Sequence, residues 1–196
     1  MTSDRRFHVI AAGFTGDVET ALGSLDDPDA LVRASAVRAL ARLNSLATDI
    51  HVALLADPSA DVRRTAAELA TANPDVPVGR LIDDPDVFVA EMSAWCLGER
   101  SEHDDDDIAL LVDRTTSHAE PLVREACAAA LGAIGDPRGL PAILAACTDK
   151  PAVRRRAILA LAPFEGDEVE AMLRSALDDR DWQVRQNAED LLNPRS

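Results

Sequence analysis

The chain has no tyrosine, four phenylalanines and two tryptophans in 196 residues, and one lysine, Lys150. Each scarcity removes a class of answers. Sheets draw heavily on aromatic and β-branched side chains. A sequence that is 3% aromatic and 47% apolar, with alanine, leucine and valine dominant, points instead to closely packed helices. No apolar run approaches the ~20 residues that a membrane-crossing helix needs. The start, Met1-Thr-Ser-Asp-Arg-Arg-Phe, lacks the long apolar stretch and small-residue cleavage site of an export signal, so a cytoplasmic location is expected. Cysteine is sparse and odd in number. Cys96, Cys127 and Cys147 have no metal-ligand spacing, Cys96 and Cys127 fall on apolar helical positions, and a reducing compartment is the simplest reading.

Positive charge is also short. Nineteen arginines and one lysine stand against 24 aspartates and 11 glutamates, for a formal net charge of −15. Binding to nucleic acid phosphates or anionic lipid depends on basic side chains replacing counterions, so both are disfavoured. Two explanations of the acidity stay open, a basic partner and a salt-rich cytoplasm. The aspartate excess and the near-absence of lysine resemble proteins of salt-accumulating microbes and favour habitat.

What is present is a repeat. Asp26-Asp-Pro-Asp-Ala-Leu-Val-Arg33, Asp57-Pro-Ser-Ala-Asp-Val-Arg63 and Asp83-Asp-Pro-Asp-Val-Phe-Val-Ala90 share one design. Pro121-Leu-Val-Arg124, Pro151-Ala-Val-Arg154 and Asp178-Asp-Arg-Asp-Trp-Gln-Val-Arg185 continue it. The anchoring valines, Val32, Val62, Val89, Val123, Val153 and Val184, are 30, 27, 34, 30 and 31 residues apart. After each valine, small or apolar residues recur at steps of four, seven, eight and eleven, as in Ala36, Ala39, Leu40 and Leu43 or Cys127, Ala130, Leu131 and Ile134. That is a one-faced helical stripe.

A shorter helix is predicted before each turn, around 17–25, 47–56, 76–82, 105–115, 138–147 and 167–177. Asp-Pro suits the turn because aspartate accepts free amides at a helix start, whereas proline has no amide to leave unsatisfied. A lone hairpin cannot bury both of its faces, so hairpins must stack. The expected organisation is a single all-α domain, a right-handed α-α superhelix of about six hairpins at 15–45, 46–74, 75–100, 101–136, 137–166 and 167–194. Residues 1–14, with Phe7, Val9, Ile10 and Phe14, form an N-terminal cap, and the polar ending Asn193-Pro-Arg-Ser196 closes the other end.

The Asp-Pro turn, the Val-Arg pair and the Ala/Leu stripe resemble HEAT repeats, in particular the short repeats of phycobilin lyase-like proteins. The resemblance covers residues 14–194. It implies a ladder between adjacent repeats, with carboxylates from Asp27, Asp57, Asp84 and Asp179 and guanidiniums from Arg33, Arg63, Arg124, Arg154 and Arg185, a pairing suited to bidentate arginine. Ala90 stands where the third arginine belongs and the fourth turn, Ser117-His-Ala-Glu-Pro121, lacks Asp-Pro, so the ladder is expected to break or bend there.

No catalytic, metal or cofactor residue is assigned. His103 followed by Asp104 to Asp107 fits a capped helix start better than a converging cation site. HEAT-like deoxyhypusine hydroxylases carry His-Glu pairs, and here His8, His51, His103 and His118 precede Val, Val, Asp and Ala. The arginine clusters Arg63-Arg64 and Arg154-Arg-Arg156 fall largely on ladder positions, which weakens a reading as a HEAT-like nucleic-acid-binding protein. A phycobilin lyase-like enzyme or chaperone-lyase would rest on fold analogy alone. The favoured reading is a non-catalytic scaffold or adaptor that grips a protein or peptide on the concave side lined by the second helices. Steps five and six after each valine supply the expected surface: Arg38, Glu68, Trp95, Ala129, Ile158 and Leu159. Trp182 is expected to cap the last repeat.

Overall fold

The computed structural model describes residues 2–193, which are helical throughout and contain no strand. The expected closing role of 194–196 lies outside the described residues, as does Met1. The chain divides into two compact units, one ending at Cys96 and the other beginning at Leu97.

In the first unit, helix α1 (Thr2–Thr15) precedes the hairpin of α2 (Val18–Gly23) and α3 (Ala30–Arg42). A second hairpin pairs α4 (Thr48–Leu54) with α5 (Ala60–Leu69), which ends in a 3₁₀ turn, Ala70–Ala72. The third repeat differs from the expected pattern. Its first helix is only a 3₁₀ turn, Val78–Leu81, before α6 (Val87–Glu99). Pro74, Pro77 and Gly79 disfavour a full α-helical turn here, yet Val76, Val78, Leu81 and Ile82 are all buried. Helix α6 begins in the first unit and ends in the second. The second unit continues with α7 (Asp105–Ser117) and α8 (Pro121–Ile134), α9 (Leu140–Ala146) and α10 (Pro151–Ala160), then α11 (Asp167–Ala176) and α12 (Trp182–Leu192).

The anchoring valines are buried at every repeat: Val32, Val62, Val89, Val123 and Val153 fully, and Val184 almost so. Around Val32 the first hairpin's core gathers Val9, Ala21, Ala36, Ala39 and Leu40, with Val18, Leu25 and Leu46 packed against it. Small residues set the helix spacing. A Cβ added to Gly132 would lie 2.6 Å from the Cα of Ala160, and one added to Gly13 would lie 3.0 Å from that of Ala39. In both cases an alanine seven steps after a valine receives the neighbouring helix backbone. Gly13 shows that α1 follows the repeat register and does not simply cap it. Val9 joins the core, but Phe7 and Phe14 remain exposed.

The turns are held by a relay of aspartate and arginine. Arg33 donates Nε and Nη2 to the two carboxylate oxygens of Asp57, at 2.9 and 2.7 Å, and Nη1 to the carbonyl of Asp27. Arg63 does the same with Asp84 and the Asp57 carbonyl. Arg124 forks onto Asp149, and Arg154 onto Asp179. Asp27 receives Arg5, at 3.0 Å. Each guanidinium thus ties its own turn to the next one. Asp57 also accepts the amide of Ser59, and Asp84 that of Asp86. The proline of Asp-Pro lies one residue before the N-cap at Asp29 and Ser59, so its missing amide serves the turn; Pro121 and Pro151 do open their helices.

Two ladder members differ from expectation. Asp149 replaces the missing Asp-Pro carboxylate, five residues before Arg154 instead of six. Arg185 closes its own turn by donating to the Asp179 carbonyl. In the fourth turn His118 takes the aspartate's local role: its Nδ1 accepts the Glu120 amide and its carbonyl accepts Arg124. At the third repeat Ala90 stands where the ladder arginine stands in the other repeats.

Gly132→Ala should destabilise the chain by about 1–3 kcal/mol through overpacking against Ala160, whereas Gly23→Ala, with open space around it, should be neutral or slightly stabilising. Urea unfolding of the two variants checks this. A second expectation concerns acid. Burial raises the Asp57 and Asp84 carboxyls, but the arginine fork and a backbone amide outweigh it and leave both below the usual range. The fork itself lowers Asp149 and Asp179. Folded values below unfolded ones contribute stability that is full above about pH 4 and is lost as pH falls through the folded values. Unfolding free energy should therefore fall steeply below about pH 4, and Asp84→Asn should flatten that slope in a urea series across pH.

Candidate functional site

Helices α3 and α10 are enclosed on several sides, by their own first helices and by the helices stacked before and after them, α1 and α5 for α3 and α8 and α12 for α10. At about 100° per residue, this wide enclosure decides which positions reach the surface. Five steps after the first five valines, Val37, Ala67, Ala94, Ala128 and Ile158 are all fully buried, whereas Glu189, five steps after Val184, is exposed. Six steps after, Arg38, Trp95 and Leu159 are exposed, and Glu68 and Ala129 are half-buried. Ile158 therefore belongs to the core and not to the expected binding surface. The extra 100° turns it away from Leu159 and into the packed side.

The few aromatic residues are mostly outside. Phe7 (69%), Phe14 (71%), Phe88 (56%), Trp95 (43%) and Trp182 (64%) are exposed, leaving Phe164 half-buried. Four of the five exposed rings lie in the first unit, on α1 and α6. Phe88 and Trp95 are seven residues apart on α6 and so share a face. Trp182 opens α12 with most of its surface free, so the expected cap over the last repeat is not formed by this ring.

The first unit also carries a groove of about 370 Å³ along α3, between α1 and α5. Its floor is small and largely buried: Ala34, Ser35, Ala39 and Thr65. Ile10, Phe14 and Leu31 add exposed apolar surface. Four arginines line it, Arg6, Arg38, Arg42 and Arg64, with Asp61 as the one carboxylate of the lining. Arg38 pairs with Glu68 at 2.8 Å, and Arg64 approaches Asp61 at 3.7 Å. Arg6 donates to the Ser35 hydroxyl, and the Arg42 guanidinium lies 3.9 Å over the Phe14 ring. Among the described residues neither Arg6 nor Arg42 is ion-paired. The sequence pattern hides this site because Asp4 stands in α1 where the repeats have their valine. The signal present is Arg5 and Gly13, one and nine steps after Asp4, as Arg33 is one step after Val32 and Gly132 nine steps after Val123.

In the second unit the matching surface is shallower and its charges are matched. Arg155 places two nitrogens on Asp181, Arg156 approaches Glu125 at 3.6 Å, and Leu159, Gln183 and Asn187 complete the lining. Several chemistry-bearing groups elsewhere are engaged in structure, whereas His103 Nδ1 is buried without a hydrogen-bond partner among the described residues. His51 is buried, with Nε2 2.7 Å from the Ala66 carbonyl oxygen. Asp104 caps α7 by accepting the Asp107 amide, and Asp105 binds Arg138. Burial, then the neighbouring Asp104 charge, raise the Asp107 carboxyl despite Arg100. All three cysteines are buried and outside any disulfide, and burial pushes Cys147 up to about 12, far from a reactive thiolate.

Stacked helical hairpins joined by an Arg–Asp ladder make an α-helical repeat fold of the armadillo/HEAT type. The comparisons with known proteins agree. Residues 74–162 match the HEAT repeats family. The Escherichia coli protein YIBA matches with a TM-score of 0.67 at 18% identity, over 95% of this chain and 73% of that one. A designed armadillo repeat protein in complex with the peptide (KR)4 matches with a TM-score of 0.62 at 19% identity, over 90% of this chain and 98% of that one. An engineered protein matches with a TM-score of 0.62 at 20% identity, over 90% and 95%. At these identities the likeness is one of fold. No curated protein matches the sequence, and the phycobilin lyase-like subtype finds no support in these comparisons.

Two substitutions separate core from surface. Ile158→Ala should cost about 2–5 kcal/mol. Trp95→Ser, at an exposed ring, should change stability by less than about 1 kcal/mol, as read by urea unfolding.

Proposed function

We propose that the chain is a non-catalytic interaction scaffold that holds a partner protein or peptide against the outward face of its second helices. The observation that carries this reading is the placement of the aromatics. A chain with six aromatic residues builds its core from alanine, valine and leucine and leaves five of the six rings exposed. Exposed aromatic and arginine side chains are the usual anchors of protein interfaces. The residues proposed to meet the partner are Arg38, Glu68, Trp95, Ala129 and Leu159, joined by Phe88 on the Trp95 face. Support also comes from the engagement of several histidine, cysteine and aspartate side chains in structural roles, and from the designed armadillo protein of the same fold that holds a (KR)4 peptide.

No helix among the described residues is long and apolar enough to cross a membrane. The proposal places the chain in a reducing, cytoplasmic setting that suits three cysteines outside any disulfide. Its net charge of −15 is read as adaptation to a salt-rich interior.

The test is affinity capture with the chain as bait, comparing wild type with the double variant Phe88→Asp/Trp95→Asp. Specific partners should be lost while circular dichroism shows unchanged helical content. Retention of every partner by the variant would sink this choice of face.

A further inference from the structure

We infer that the groove of the first unit accepts an acidic segment of a partner protein, with two carboxylates spaced four residues apart and an apolar side chain between them. The inference deepens the proposed function and rests on the second-helix face being a protein-binding surface.

Charge is the first argument. The chain as a whole carries −15, yet the lining of this groove holds four arginines against one aspartate. Even counting Glu68, which pairs with Arg38, the local balance is 4 − 2, or +2. In a chain this acidic, a concentration of arginine on one face away from the ladder is unexpected from composition. The ladder uses Arg5, Arg33 and Arg63 in this unit. Arg6, Arg38, Arg42 and Arg64 are surplus to it.

Two of the four are uncommitted. Arg6 is held by a hydroxyl, and Arg42 rests on an aromatic face. Both contacts orient a guanidinium without neutralising it. An oriented fork loses less conformational freedom when it closes on a carboxylate. Arg38 and Arg64 already have carboxylates and define the wall.

Spacing supplies the rest. Arg6 stands near the start of α1 and Arg42 closes α3, and Gly13 at step nine of α1 lies against Ala39 at step seven of α3. That offset puts the two arginines about ten helical positions apart, or ~15 Å along the axis. An extended chain advances about 3.3 Å per residue and returns a side chain to the same face every second residue. Carboxylates four residues apart therefore span about 13 Å and point the same way. The residue midway between them faces the same side, over the apolar stretch made by Ile10 and Ala39. Phe14 and Leu31 bound the groove and shield the ion pairs from water, which strengthens them. At physiological salt the charge of the remaining surface is screened beyond about 8 Å, so the approach of an acidic segment is governed by these nearby arginines.

Fluorescence anisotropy at physiological salt tests the inference on the full chain. The probe is a short labelled peptide with aspartates four positions apart, leucine midway and serine elsewhere; arginine replaces the aspartates in one control, and a labelled single-stranded oligonucleotide is another. The acidic peptide should bind saturably and the arginine peptide should not. Arg6→Glu/Arg42→Glu should weaken the acidic peptide at least about tenfold, roughly 1.4 kcal/mol, whereas Arg174→Glu in the second unit should leave it unchanged. Arg6→Gln/Arg42→Gln supplies the same comparison should the charge reversal disturb folding, which circular dichroism reports. Preference for the arginine peptide or the oligonucleotide overturns the inference, as does acidic binding indifferent to both arginine pairs, or no saturable binding. A dimer in sedimentation equilibrium that the Arg6/Arg42 variants dissolve also overturns it, because the occupant is then a second copy. The α6 aromatics tested by affinity capture lie outside this groove. Loss of capture there together with failure of the peptide here refutes the acidic segment and leaves the scaffold reading standing.

Discussion

Everything in this chain depends on a guanidinium that reaches across to the next turn. Arg33, Arg63, Arg124 and Arg154 each close both ends of a carboxylate while a third nitrogen holds a carbonyl of their own turn. A repeat has little core of its own, and neighbouring hairpins must keep one register for their alanine and valine stripes to meet. The planar fork enforces that register better than apolar contact, because it tolerates little displacement. It also fixes the turn, since the same aspartate accepts a backbone amide two residues on at Asp27, Asp57, Asp84 and Asp179.

The ladder leaves the helices free to approach closely, and close approach explains the composition. Gly132 against Ala160 and Gly13 against Ala39 leave no space for larger side chains. Large rings do not fit such seams. Aromatic residues are therefore excluded from the interior and gather on the outward face, where Phe14, Phe88 and Trp95 stand among charged neighbours. One packing constraint thus accounts both for the scarcity of aromatics and for their exposure. It also separates the two units in character. The first carries rings and surplus arginine, and the second matches Arg155 with Asp181 and Arg156 with Glu125.

Much of the architecture was legible without coordinates. Valines 32 through 184, the Asp-Pro turns and the stripe after each valine identify stacked hairpins because periodicity is a property of the chain itself. The resemblance to HEAT repeats also implied most ladder arginines. Legibility failed where a residue substituted for another by position in space: Asp149 supplying a carboxylate one residue late, His118 taking an aspartate's local bond, and α1 joining the repeats although its valine position is Asp4.

The candidate site shows the same division. The resemblance to HEAT repeats implied that the second helices present an outward row, and spacing put Arg38, Glu68, Trp95 and Leu159 near it. Whether step five or step six faces outward was settled only by packing, since 100° of rotation separates Ile158 in the core from Leu159 on the surface. The arginine groove, too, exists only because α1, α3 and α5 are brought side by side. Residues as distant in sequence as Arg6 and Arg64 have no local relation, so only tertiary structure gives them a common surface.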